Sequence, residues 1–187
     1  NLTRFHDQCD FAVALLDNEQ FEAYVLPDWI KVYRIDSKAN LIAGVKGLCA
    51  LFRELRPAVC ISFLTRANFA AIVAGRLYGC RTIVSERVNT TAHLAGGGKN
   101  AVSRFLVRML YPRADGVIAV SQGVKDTLVK DFAVSPDRVT VIPNPFDIDN
   151  IANLAIQPAP FEIAPGDWAT MGRLVPTKNA KLAIRAF

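Results

Sequence analysis

The chain has 187 residues, 51% of them hydrophobic, with ten prolines, eleven glycines and a formal net charge of +5. That length buries one α/β core and begins a second domain. No apolar run reaches the roughly 18 residues that cross a bilayer, and no basic stretch leads into an apolar block at the N-terminus, so export is not expected. The positive balance calls for an anionic partner. Aromatic residues do not interleave with the basic ones as on a stacking platform for single strands, which excludes nucleic acid and leaves a phosphorylated small molecule or an anionic membrane.

Apolar runs and helical spacings alternate along the chain. "FAVALL" over Phe11 to Leu16 reads as a strand, and Trp29 to Ile35 as a second, weaker one. Leu41 to Leu55 has apolar residues at helical spacing until Pro57 ends it. Ala58 to Phe63 is a buried type of strand, Asn68 to Tyr78 a helix closed by Gly79, and Arg81 to Val84 a strand. Asn100 to Tyr111 reads as a helix stopped at Pro112, Gly116 to Val120 as a strand, Gln122 to Phe132 as a helix capped by Ser121, and Val139 to Ile142 as a strand. This β-α-β-α order implies an α/β fold, a doubly wound Rossmann-like parallel sheet with helices on both faces, over residues 1–146. Cys9, Cys49, Cys60 and Cys80 show no CxxC pairing and read as buried thiols of a reducing compartment, with no metal site.

In such a sheet ligands gather beyond the carboxyl ends of the strands. The residues there are polar in turn: Thr65, Arg66 and Asn68, then Ser85, Glu86, Arg87 and Asn89, then Ser121, then Asn144. For each one alone, a polar loop residue is as good a reading as a ligand contact; together they outline a cleft with both signs of charge. No GxGxxG stands at a strand-to-helix turn, and the "GGGK" at 96–99 lacks Walker A spacing, so that run reads as a flexible loop beside the cleft.

After residue 146 the texture changes. Residues 147–165 carry Pro158, Pro160 and Pro165 and read as an interdomain linker. A second Rossmann-like unit then begins at 166, with "DWATMGRL" as a strand and "NAKLAIRAF" as a helix. Gly172, Arg173 and Lys178 fall on the loop between them, where helix-end amides favour an anion and the two cations can add a fork and a point charge.

The series "ADGVIAVSQGVKDTLVKDF", "VTVIPNPFD" and "MGRLVPTKN" resembles the middle of a glycosyltransferase family 4 enzyme of GT-B fold, over about residues 57–187. "ISFLTRAN" and "IVSERVN" further resemble bacterial members that build surface polysaccharide or lipid-linked glycans. The resemblance implies retaining, metal-independent transfer, without a cofactor, from a UDP- or GDP-linked sugar to a glycan or lipid-linked acceptor, in the cytoplasm or at the inner face of the cell membrane. It implies an N-terminal acceptor domain and a C-terminal donor domain, with Arg173 and Lys178 on the donor diphosphate. Ser121, Lys125 and Asn144 match family positions that shape the cleft.

Two departures stand out. Where many relatives carry a functional histidine, this chain has Glu86 and Arg87. Glu86 would orient or deprotonate an acceptor hydroxyl and Arg87 hold an acceptor phosphate, or the two would pair as structure. The glycine-rich first strand of the family and the remainder of the donor half are not in this sequence. The expectation is therefore a piece of a larger enzyme, inactive by itself.

The helix from Lys99 to Arg113 sets Arg104 and Arg108 on one side and Val102, Phe105, Leu106, Met109 and Leu110 on another. That pattern fits peripheral contact with an anionic membrane, and equally a core helix with a solvated basic face. Two other function classes fit the same architecture: a nucleotide-sugar epimerase, and a non-catalytic nucleotide- or sugar-binding module.

Overall fold

The computed structural model describes residues 7–17, 26–93, 98–158, 162, 164, 166, 172 and 179–186. It divides into two units, Asn1–Asn144 and Pro145–Phe187.

The first unit is α/β and its strands are parallel, as expected. A two-stranded sheet pairs β1 (Ala12–Leu15) with β2 (Lys31–Arg34). A four-stranded sheet runs in the order β3 (Val59–Phe63), β4 (Arg81–Glu86), β5 (Gly116–Ala119) and β6 (Val139–Val141). Helices connect the strands: α1 (Leu41–Leu55), α2 (Thr65–Tyr78), the short α3 (Thr90–His93), α4 (Gly98–Leu110) and α5 (Gln122–Phe132).

Local chemistry sets the helix limits. Asn40 caps α1 by accepting a hydrogen bond from the Ala43 amide at 3.0 Å. Arg56 closes the same helix in the left-handed conformation, its amide bonded to the Phe52 carbonyl. Ser121 caps α5 through the Val124 amide.

Registration then decides what is buried. Val84 faces Val117 and Val117 faces Val139 across the sheet. All three join Phe69 and Ile72 of α2, Val107 of α4 and Leu128 of α5 in one core cluster. A second cluster joins Leu48 and Phe52 of α1 to Ala70, Ala71 and Ala74 of α2. Each large buried side chain contributes roughly 1.5–3 kcal/mol. Helix α2 lies so close to β4 that a Cβ on Gly75 would stand 2.0 Å from Thr82 Oγ1. On the face of β3 away from that packing, Val59, Ile61 and Phe63 are each about half exposed.

Sequence and structure differ in detail. Helix α2 begins at Thr65, three residues before its expected start, because the polar Thr65 and Arg66 form its first turn. Strand β4 extends to Glu86. Of the cysteines only Cys80 is buried; Cys49 and Cys60 are half-buried and Cys9 is exposed, so the expectation of four buried thiols holds at Cys80, is half met at Cys49 and Cys60 and fails at Cys9. In the second unit the described elements are α6 (Ile148–Ala155) and α7 (Ala180–Ala186). Helix α6 forms inside the stretch read as a linker, because Asp147 caps it through the Asn150 amide.

Candidate functional site

The carboxyl ends of β3 to β6 gather most of the polar residues singled out from sequence. Strand β3 hands over to α2 through Leu64, whose φ of 74° and ψ of 141° lie outside the regions a leucine ordinarily occupies. Leu64 is 72% exposed. Strain of this kind concentrates at functional sites. Beside it the exposed Arg87, just past β4, donates to Asn144 Oδ1 and sits 5.9 Å from the centre of the Phe63 ring. One guanidinium thus joins the ends of β3, β4 and β6, with a cation–π contact contributing on the order of 0.5–1 kcal/mol.

Beneath this edge lies a buried polar chain. Glu86 shares a sheet face with Thr82 and Val84, and only 2% of it is exposed. Tyr111 donates its hydroxyl proton to Glu86 Oε2 at 2.6 Å. The Asn68 amide donates to the Tyr111 oxygen at 2.9 Å and to the Ser85 carbonyl at 3.2 Å, while Ser62 donates to Asn68 Oδ1 at 2.8 Å. Burial, and then the negative charge of Glu86, push the Tyr111 hydroxyl well above its ordinary value. Four side chains from β3, α2, β4 and the turn after α4 are locked together. Glu86 and Asn68, both expected at the cleft surface, supply its foundation.

At the neighbouring sheet, Asp17 follows β1 and takes three hydrogen bonds: from Ser37 Oγ at 2.7 Å, from the Ala39 amide at 3.0 Å and from the Arg66 guanidinium. Arg66 is thereby paired, with a third of its side chain exposed. Thr65 and Arg66 line a cavity of about 350 Å³ together with Phe69 on α2 and Asn100, Ser103 and Leu106 on α4. Two hydroxyls, a cation and an amide therefore share the lining with apolar side chains, which suits a ligand with a polar head and an apolar part.

The remaining expected residues divide. Ser121 caps a helix, and Lys125 donates to the Val139 carbonyl at 2.8 Å, which fastens α5 to the start of β6 and turns its charge away from the edge. Asn89 is exposed at the edge. Arg104 and Arg108 are exposed on α4. Gly172 is described only as a bend; Arg173, Lys178, the Lys99 side chain and residues 94–97 of the glycine run lie outside the described residues. Among the described residues no group of three His, Cys, Asp or Glu is placed to hold a metal.

Sequence reasoning passed over Asp17 and Tyr111. Asp17 was within reach, being the first polar residue after "FAVALL". Tyr111 carried no signal, since an aromatic at a helix end reads as core.

The sequence model of Glycosyltransferase Family 4 matches residues 10–150. Among curated proteins the chain is 32% identical over 130 residues to the N-acetylgalactosamine-N,N'-diacetylbacillosaminyl-diphospho-undecaprenol 4-alpha-N-acetylgalactosaminyltransferase of Campylobacter jejuni. That match takes in 67% of this chain and 34% of the relative, so the chain spans about a third of its length. Among solved structures, the crystal structure of Anabaena Alr3699/HepE in complex with UDP matches 64% of this chain and 32% of its own, at 17% identity and a TM-score of 0.47. The family match runs from the approach to β1 into α6 and contains every residue of the edge from Asp17 to Asn144; the chain belongs to glycosyltransferase family 4.

Proposed function

We propose that this chain is the acceptor-side part of a retaining glycosyltransferase that moves a sugar from a nucleotide diphosphate to a lipid-linked glycan at a membrane surface. The observation that carries the reading is the 130-residue match to a transferase named for a diphospho-undecaprenol substrate. The cavity beside Thr65 and Arg66, lined by both polar and apolar side chains, supports it.

In this reading the acceptor hydroxyl oxygen bonds to the anomeric carbon as the bond from that carbon to the phosphate oxygen breaks; the electron pair leaves with the nucleoside diphosphate, whose phosphate oxygen takes the hydroxyl proton. Arg173 and Lys178 neutralise the departing charge, and electrostatic help of that kind is worth about 2.7–4 kcal/mol per lost donor in enzymes. Arg87, joined to Asn144 and Phe63, offers the acceptor diphosphate a fixed cation. Glu86, buried under Tyr111, holds the edge in place and takes no proton from the acceptor.

The test is transfer from a panel of nucleotide sugars to a polyprenyl-diphosphate-linked glycan by the full-length protein, with Arg173→Ala alongside. Loss of roughly 100-fold in transfer by the variant is expected. Unchanged turnover removes Arg173 from the site. Sugar isomerisation without acceptor moves the protein to the epimerase class, and sugar binding without either reaction makes it a binding module.

A further inference from the structure

Helix α4 has three sides. Val107 is buried and Leu106 and Leu110 are half-buried against the core. Next to them Val102, Phe105 and Met109, spaced three and four apart, are 60%, 61% and 40% exposed. Beyond these stand the exposed Arg104 and Arg108. Arg113 donates to the Met109 carbonyl and brings a third guanidinium to the end of the stripe. The helix carries no acidic residue from Gly98 to Leu110; Asp131, which lines a hollow with Arg104, Phe105 and Arg108, accepts from Thr91 Oγ1 at 2.6 Å. The apolar side expected of this helix is thus divided, half serving the core and half lying open beside arginines.

We infer that the Val102, Phe105 and Met109 stripe with Arg104 and Arg108 is a docking surface for an anionic bilayer, and that α4 thereby sets the mouth of the acceptor cavity at the membrane. Charge complementarity selects the occupant. Apolar side chains that enter the headgroup boundary gain by burial, while arginines at the same depth stay with lipid phosphates. Protein interfaces also take aromatic and arginine side chains, so what favours lipid is the charge: three guanidiniums beside a helix with no carboxylate of its own match a sheet of lipid phosphates.

Position gives the surface its use. Val102 belongs to the open stripe and also lines the cavity that holds Thr65, Arg66 and Phe69. A lipid-linked head group at the bilayer surface would meet the cavity without leaving the membrane, its polar head passing toward Arg66 and its chain remaining in lipid. This delivery step rests on the acceptor proposed above; the docking surface does not.

The experiment is sedimentation of the protein with phosphatidylcholine vesicles, with and without phosphatidylglycerol, for the parent, for R104E/R108E and for F105S/M109S. The parent should bind the anionic vesicles, the charge reversal should weaken that binding roughly tenfold or more, and the apolar pair should weaken it comparably. Thermal unfolding checks that both variants fold, with R104E alone as the milder charge variant, since Arg108 also bonds to the Asp131 carbonyl.

Unchanged sedimentation of every folded variant overturns the inference. So does a parent that fails to bind, or one that self-associates in solution through Phe105, which would make the stripe a contact between copies of the chain. The transfer assay separates the two proposals. Both variants should keep transfer to a short-chain soluble acceptor and lose it to the same head group in vesicles. Vesicle binding with the expected pattern but no transfer sinks the transferase reading and leaves the docking surface standing.

Discussion

Tyr111 donates to the Glu86 carboxylate at 2.6 Å in a site where each residue is at most 2% exposed. A carboxylate taken out of water needs its hydrogen bonds, and this one lies below the edge that carries Arg87. Tyr111→Phe keeps the ring and its edge contact with Phe69 but leaves Glu86 and Asn68 short of a partner. A loss of about 1–3 kcal/mol is expected in urea unfolding. Glu86→Gln, which still accepts from the tyrosine, should cost less than Glu86→Ala. A Tyr111→Phe protein as stable as the parent would show that the chain of hydrogen bonds contributes nothing to the fold.

The same burial fixes an alkaline limit. Folding raises the Tyr111 hydroxyl well above its ordinary value of 10.0 and pushes the Cys60 thiol from 9.0 up to about 12. For both groups the folded state keeps a proton that the unfolded chain gives up, so the unfolded state binds fewer protons and stability falls as pH rises. The contribution of Cys60 is complete below pH 9.0 and declines toward about 12, and that of Tyr111 begins to decline above 10.0. An ultraviolet titration of the parent against Tyr111→Phe should show a Tyr111 signal that appears only as the protein unfolds. If that signal appeared while the protein was still folded, the buried site would be misassigned.

The sheet was legible because each strand is an apolar run bounded by punctuation, and β1 to β6 fall within a residue or two of those runs. Short helices were not: α3 spans four residues with no apolar period, and α6 hides among the prolines that mark a linker. At the site, the rule that ligands gather beyond strand ends found Arg87 and Asn144, which do meet. It could not say which way a side chain points. Glu86 turns inward because β4 continues its alternation for two residues past the apolar run, placing position 86 on the face of 82 and 84. Asn68 turns inward because α2 starts early and sets it one turn above Ile72. Long-range partners such as Asp17 and Arg66, 49 residues apart, have no local signature at all.

Leu64 holds a backbone conformation that suits glycine, at 72% exposure, so it gives up little burial if replaced. Strain of about 1–3 kcal/mol outweighs the roughly 0.5–1 kcal/mol of extra chain entropy that a glycine brings. Leu64→Gly should therefore stabilise the fold by about 1 kcal/mol in urea unfolding. Because the turn also aims Thr65 and Arg66 at the cavity, acceptor KM should rise with kcat little changed. A less stable Leu64→Gly protein would mean that the leucine side chain holds the turn and that the strain is absent in solution.

Asp17 joins three things at once: the end of β1, the loop after β2 and the first turn of α2. That loop carries Asp36, Lys38 and Ala39, all at positive φ, a costly sequence of conformations that the carboxylate braces through Ser37 and the Ala39 amide. Asp17→Asn preserves an acceptor for the loop and removes the charge that pairs with Arg66. The pair is partly exposed, so its loss should cost only about 1 kcal/mol, with hydrogen exchange at the Ala39 amide little affected. Asp17→Ala should in addition accelerate that exchange. For the acceptor the two substitutions should act alike, since both release Arg66 from its partner and leave its charge for a phosphate in the cavity: binding of a polyprenyl diphosphate should tighten or hold while stability falls. Weaker binding from both variants would mean that Arg66 serves the cavity only when Asp17 holds it in place, and the two residues would then form a single binding element.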